Sequence, residues 1–227
     1  MQPLRGLTKE DVEKFYDHFG ARQDKQNYYE NVALADLLEH ARFDTAQAVV
    51  EFGCGTGRFA EQLLEIHLPN ASSYWGCDVS TTMIELSRKR LLGFGSRARL
   101  WKSAGEVSLP LPSESADCFV SNYVMDILSF EEIDAVIGEA KRILKKDGLL
   151  CLTGLTNGKG LFSKLWTAFW NVRFAINPKW VGGCRPIYVR ELLNGDWEIE
   201  HYRVVVARGI SSEVIVAGKR LSGKSFS

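Results

Sequence analysis

Val49-Val50-Glu51-Phe52-Gly53-Cys54-Gly55-Thr56-Gly57-Arg58 is the stretch whose reading decides the fold. A short, partly β-branched apolar run at 48–52 ends in three glycines at alternate positions. Phe59, Leu63, Leu64, Ile66 and Leu68 then fall at helical spacing. The pattern predicts a buried strand, a tight turn and a helix. Such a turn lets a small ligand lie against bare backbone, because glycine admits unusual φ values and has no side chain to hold the ligand away. The helix N-terminus adds N–H groups without intrahelical partners, which suit an anionic group.

The spacing of the glycines narrows the ligand. In a dinucleotide-binding turn the third glycine stands five positions after the first. Here Arg58 fills that position and the third glycine is Gly57. An acidic residue, Glu51, stands two before Gly53. A second, Asp78, ends the next predicted strand at 73–78, where a carboxylate can accept hydrogen bonds from both hydroxyls of a ribose. In these residues the chain resembles the class I S-adenosylmethionine-dependent methyltransferases of the small-molecule or lipid type, whose turn reads E/D-x-G-x-G-x-G. The resemblance runs from 48 to 154 and is extended by a predicted strand pair between 197 and 219. It implies a doubly wound α/β fold with a mostly parallel seven-stranded sheet, order 3-2-1-4-5-7-6, strand 7 antiparallel, and an N-terminal helical lid.

The resemblance also implies S-adenosylmethionine as cofactor. Glu51, Gly53, Cys54, Gly55 and Gly57 would hold its methionine end, and Asp78 with Val79 its ribose. Ser80 reads as the N-cap of a helix at 81–92, which leaves Asp78 free. Met83 stands where the family often places an apolar residue beside the adenine, and a core methionine is the other reading. At 103–112 the chain keeps the family's Leu-Pro but has Ala104-Gly105-Glu106 where an Asp usually meets the adenine amino group. Either Glu106 substitutes or the backbone of Ala104 and Gly105 takes over. Asn122 and Tyr123 follow a predicted strand at its C-terminal end, where ligands collect in parallel α/β sheets, and so fall near the transferable methyl. Asn122-Tyr123-Val124-Met125 is not the N-P-P-Y/F pattern of amino-methylating enzymes for nucleic acid and some proteins.

Outside this frame, Thr8-Lys9-Glu10-Asp11 resembles a capping box opening a helix that ends near Gly20. A polar link leads to a second helix at 25–41. Phe15-Tyr16-Asp17-x-Phe19 is similar to the Y-D-x-F/W segment of methyltransferase lids. The aromatics of both helices read either as core packing or as a lid with Tyr16, Phe19, Tyr28 or Tyr29 facing the ligand. Ser129-Phe130-Glu131-Glu132 is a second capping box, and its helix is expected to stop at a left-handed Gly148 before a strand at 149–154. The aromatic-rich insertion at 155–186 has three readings: core packing, the wall of an apolar acceptor pocket, or a membrane-surface contact with Lys164, Arg173 and Lys179 at head-group level. Arg185 reads as loop packing or as an anion contact.

The 227 residues suit a single domain over 1–227, with 1–45 as its lid segment. The 28 basic and 28 acidic side chains cancel, so no general attraction to nucleic acid is expected. The five scattered cysteines form no C-x-x-C pair, which argues against a zinc site or a disulfide framework. The first residues lack the apolar core of a signal peptide, and no apolar run reaches the ~18 residues of a membrane span. The expectation is a cytoplasmic protein that methylates a small molecule or lipid, with no metal. A binding protein that holds S-adenosylmethionine without methylating is the alternative. No catalytic base is assigned, since the donor methyl is already activated. His18, in the lid segment, is the one histidine considered for that role.

Overall fold

The fold is described from a computed structural model, for residues 8–158, 176 and 184–220. At its centre lies β1 (Ala48–Phe52), parallel to β2 (Ser73–Asp78) on one side and to β4 (Ala116–Asn122) on the other. β3 (Ala98–Lys102) extends the sheet beyond β2. β5 (Leu144–Leu155) extends it beyond β4 and pairs antiparallel with β7 (Ile210–Lys219), which pairs with β6 (Trp197–Ala207) at the edge. The order β3-β2-β1-β4-β5-β7-β6 is the one the resemblance implied, with the terminal hairpin closing the sheet.

Strand alternation divides the core in two. Val49, Cys118, Val120, Leu149, Cys151, Val214 and Val216 point to one face, with Leu37, Phe59, Leu63 and Ile84 against them. Val50, Phe119, Leu150, Leu152, Ile215 and Ala217 point to the other, under Ile133, Val136, Ile137 and Ala140. α2 (Asn27–His40), α3 (Arg58–Gln62) and α4 (Thr81–Arg90) supply the first cover, and α5 (Phe130–Ile143) the second. With both faces covered, the central strands carry near-continuous apolar runs, as the sequence around Val49 and Leu149 had suggested. Burying a side chain such as Phe119 stabilises the fold by roughly 1.5–3 kcal/mol. Cys54, Cys77, Cys118 and Cys151 are buried free thiols.

The caps form as predicted. Ser129 and Glu132 make a reciprocal capping box for α5, and the Thr8 hydroxyl accepts the Asp11 N–H at the start of α1 (Lys9–Phe19). Three expectations are corrected. The link after α1 is an ordered 3-10 turn, Gly20–Gln26, because Asp24 accepts the Thr56 hydroxyl at 2.6 Å and pairs with Arg90 at 2.6 Å. The helix after Arg58 loosens into a π turn at Leu63–His67. Gly148 is not left-handed. The chain becomes extended at Leu144, and a side chain at Gly148 would meet Leu144 and the carbonyls of Ala116 and Lys145. That glycine serves close packing at the irregularity where Ala116 pairs Leu144 and Cys118 pairs Leu149. The aromatic run at 161–174, with Lys164, Arg173 and Lys179, lies outside the described residues. Among the described residues no helix is long and apolar enough to cross a membrane.

Candidate functional site

The C-terminal ends of β1, β2 and β4 surround a cavity with about 920 Å³ of empty space, partly open to solvent. Its floor is the glycine turn. The Gly53 and Cys54 N–H groups both donate to the Cys77 carbonyl at 2.9 Å, which ties the turn to the end of β2. Gly53, Gly55 and Gly57 have φ of 81°, 52° and 77°, values that favour glycine. Their surroundings differ. A side chain at Gly53 would collide with Val124, one at Gly55 would press on the Gln23 amide, and one at Gly57 would strike Ser87 of α4, including its Cα at 3.1 Å. Gly53 and Gly55 line the cavity. Gly57 lines neither this cavity nor its neighbour and lets α4 pack against the turn.

Asp78 lines the cavity at the tip of β2, and its carboxylate is already positioned. One oxygen accepts the Gly55 N–H at 3.0 Å and the other the Ser80 N–H at 2.9 Å. Each oxygen keeps a further lone pair for a ligand hydroxyl. Burial pushes this carboxyl up to about 6 against the pull of those N–H groups. Ser80 caps α4 through the Met83 N–H, leaving Asp78 to the cavity.

A second recess of about 430 Å³ lies across the glycine turn, lined by Glu51, Cys54, Arg58, Asn122 and Tyr123 among others. Glu51 is 2% exposed. It accepts the Tyr74 hydroxyl at 2.5 Å and the Asn122 amide at 3.1 Å. Burial raises its carboxyl to about 7. Between the two recesses stands Gln23, whose amide oxygen is buried without a hydrogen-bond partner.

The remaining predicted residues divide. Val79, Gly105, Asn122 and Tyr123 line the cavity. Ala104 lines a separate groove beside Lys9, and Glu106 is exposed. Neither borders the cavity, so of the residues at 104–106 only Gly105 does. Met83 is fully buried and lines neither recess, which matches the core reading of that residue. Ser103, Val107, Ile127 and Leu128 line the cavity without having been singled out. For Val107, Ile127 and Leu128 the available signal was that apolar residues beyond strand ends had no partner in the strand pattern.

The cover is α1. Val12 and Tyr16 line the cavity, whereas His18 is exposed and lines neither recess. Asp17 accepts the Ser80 hydroxyl at 2.5 Å and the Thr82 N–H at 3.0 Å, and Glu13 pairs with Lys102 at 2.6 Å. At the far end, Tyr123 holds a left-handed φ of 55°, and its phenol donates to Ser212 at 2.9 Å. Arg185 is 7% exposed, donates to the Leu128 carbonyl and lies over the Phe130 ring, which makes it a packing residue here.

Away from the cavity, Asp36, His40 and His201 gather within 4.8 Å. The imidazoles stack with centroids 3.6 Å apart and planes 10° apart, so their in-plane lone pairs run side by side instead of converging on an ion. Asp36 is engaged by His201 at 2.7 Å and Arg203 at 2.9 Å. The cluster clips α2 to β6.

Comparison with known proteins agrees with this geometry. A methyltransferase-domain family matches residues 49–148. The tRNA N(3)-cytidine methyltransferase METTL2 of Gallus gallus is 28% identical over 107 residues, 46% of this chain and 29% of that protein. The [4+2]-cyclase SpnF superposes with a TM-score of 0.69 at 15% identity, over 97% of this chain and 100% of that one. A geranyl diphosphate methyltransferase solved with GPP and sinefungin gives 0.68 at 14% identity, over 94% and 99%. The chain spans about half the length of the first curated relatives it matches. The methyl donor of this family is S-adenosylmethionine, which joins an adenosine to a methionine carrying ammonium, carboxylate and sulfonium groups. The residues present fit it: side-chain-free turn backbone, a preset carboxylate at the end of the second strand, and an unpartnered amide oxygen beside a buried acid. Residues 49–148 match a methyltransferase-domain family, and the chain has the fold of the class I S-adenosylmethionine-dependent methyltransferases.

Proposed function

We propose that the protein transfers the sulfonium methyl of S-adenosylmethionine to a small-molecule or lipid acceptor that enters beneath α1. In this reading Asp78 and Val79 take the ribose, and Gly105 with Ser103 border the adenine. The methionine end crosses Gly53 and Gly55 toward Glu51 and Gln23, and the methyl points to Asn122 and Tyr123. Because the methyl is already activated, the protein's task is to align the acceptor at about 3–3.5 Å and to exclude water.

The observation that carries the reading is the adjacent pair of recesses at the glycine turn, with α1 over the larger one. Val12, Phe52, Val107, Val124, Ile127 and Leu128 give the larger recess an apolar lining suited to a compact organic acceptor. METTL2 acts on tRNA by its name, so the expectation that nucleic acid is not a substrate needs its own test. A cover clipped down at Asp17 and Glu13, with zero net formal charge on the chain, favours the small acceptor. The chain is proposed to act as one domain, with the N-terminal segment as lid.

The test follows S-adenosylhomocysteine formation with a small-molecule and lipid extract in one arm and bulk tRNA in the other. Product in the extract arm is expected. Product with tRNA alone would replace the reading. S-adenosylmethionine binding with no product in either arm would leave a binding protein in place of an enzyme.

A further inference from the structure

Asp126 sits on the short helical turn Met125–Ile127 just beyond β4, between the cavity residues Val124 and Ile127. It is 1% exposed, yet neither carboxylate oxygen has a hydrogen-bond partner. Buried carboxylates are ordinarily satisfied, and an unsatisfied one is costly unless it has a task. Its chain neighbours have ordinary roles. The Asp126 carbonyl accepts the Arg185 N–H at 2.9 Å, and the Arg185 guanidinium donates to the Leu128 carbonyl.

The groups that face this carboxylate come from every element around it. Tyr16 of α1 and Tyr123 at the end of β4 line the cavity, which Asp126 itself does not border, and the phenols of both feel its charge. Its charge also reaches Tyr29 of α2 and Cys184, and Glu30 of α2 acts on it in turn. Burial above all, and then Glu30, hold its proton on. The backbone N–H groups of Asp126 itself and of Leu155 draw the proton off, although neither reaches hydrogen-bond geometry. Arg185 is the one cation among these described neighbours that acts in the same direction.

We propose that Asp126 is the proton acceptor for the methylated group, and that the acceptor therefore presents a hydroxyl, inserted between Tyr16 and Tyr123. The inference rests on the methyltransferase reading above. The acceptor oxygen forms the new O–CH3 bond as the S–CH3 bond breaks, and the electron pair of that bond returns to sulfur. The hydroxyl proton passes to the Asp126 carboxylate and leaves to solvent after product release. A carboxylate acceptor has no proton to give and would be repelled by Asp126. A thiol that ionises unaided has no need of it. The carboxyl, raised by burial to about 7, can exchange a proton near neutral pH.

The experiment compares the full chain with Asp126→Asn and Asp126→Glu, using phenols of graded acidity, aliphatic alcohols, carboxylic acids and thiols as acceptors. Calorimetry with S-adenosylmethionine is expected to give affinities within about twofold of each other. With weakly acidic phenols Asp126→Asn is expected to lose about 100-fold in turnover, the lower end of the range for a general base. With 4-nitrophenol, which ionises by itself, the loss is expected to stay below about tenfold. The rising limb of the pH–rate profile should vanish in Asp126→Asn and persist, displaced, in Asp126→Glu. An equal loss across all phenols, an unchanged pH limb in Asp126→Asn, or turnover of carboxylic acids or thiols alone would overturn the proposal. So would intact donor binding with no hydroxyl compound methylated. Loss of S-adenosylmethionine binding in the unaltered protein would instead break the underlying methyltransferase reading.

Discussion

The two ends of the site are built in opposite ways. At the glycine turn the carboxylates and the turn backbone already have partners within the protein, and the Gln23 amide oxygen beside them is the exception. Asp78 holds two N–H groups, Glu51 holds Tyr74 and Asn122, and the turn backbone hangs from Cys77. At the Tyr16–Asp126 end a buried carboxylate has no hydrogen-bond partner. A preformed hydrogen-bond frame gives a rigid socket for a ligand that is always the same. An unsatisfied group gives a site whose favourable state requires the ligand's own donor. The first arrangement suits the methyl donor and the second a selected acceptor.

The sharpest way to break this comparison is at Asp78. Replacement by Ala is expected to weaken S-adenosylmethionine binding by about 1–3 kcal/mol, the scale of hydrogen bonds to a charged group. Titration calorimetry measures it, and unchanged affinity would remove Asp78 from the donor end. Gly57 comes next. Its φ is 77°, and the Ser87 Cα lies 3.1 Å from where a methyl group on it would sit. Gly57→Ala is therefore expected to lower stability by roughly 1–3 kcal/mol. Its effect on donor affinity should be small, because Gly57 packs against α4 and not against the cavity. A denaturant midpoint left where it was, or a large loss of affinity, would reverse that division of labour within one turn.

A pH dependence spans both ends of the site. Glu51, Asp78 and Asp126 are raised by burial to about 7, 6 and 7, while free carboxyls titrate near 4. Between those values the folded state binds more protons than the unfolded state. These groups therefore make ligand-free stability fall as pH rises from about 4 to 7. Asp17, Asp24 and Asp36 are lowered despite their desolvation, by hydrogen bonds and cationic partners, so their contribution is lost at the acid end. Saturating S-adenosylmethionine, a cation, should flatten the part of the slope due to Glu51 and Asp78 and leave the part due to Asp126. Melting temperatures across this range, with and without donor, provide the check. An identical slope in Asp126→Asn would remove that carboxyl from the account.

How much of this was readable follows from where the residues lie. The donor end was legible because Glu51 to Gly57 are contiguous and Asp78 ends the next strand. One supersecondary unit places them all, so spacing stands in for geometry. Even there Gly57 was read as a ligand contact, and Met83 as either a ligand contact or a core methionine, and the structure puts both in the packing of α4. Glycine pattern and helical position do not distinguish an atom that meets a ligand from one that meets a neighbouring helix. The missing adenine-site Asp was visible in Ala104-Gly105-Glu106, but that only Gly105 reaches the cavity was not.

By itself the sequence determined the layered α/β fold and the turn expected to take the methyl donor, and its family resemblance carried the strand order. The elements and the turn follow from periodicity and glycine chemistry over a few adjacent residues, which act before the chain is packed. Only the tertiary structure decided that Tyr16, Tyr29, Tyr123 and Cys184 come within reach of the Asp126 charge, and that Asp126 is buried without a partner. Those residues are far apart in the chain, and desolvation is a property of everything that surrounds a group. No local pattern in the sequence encodes it.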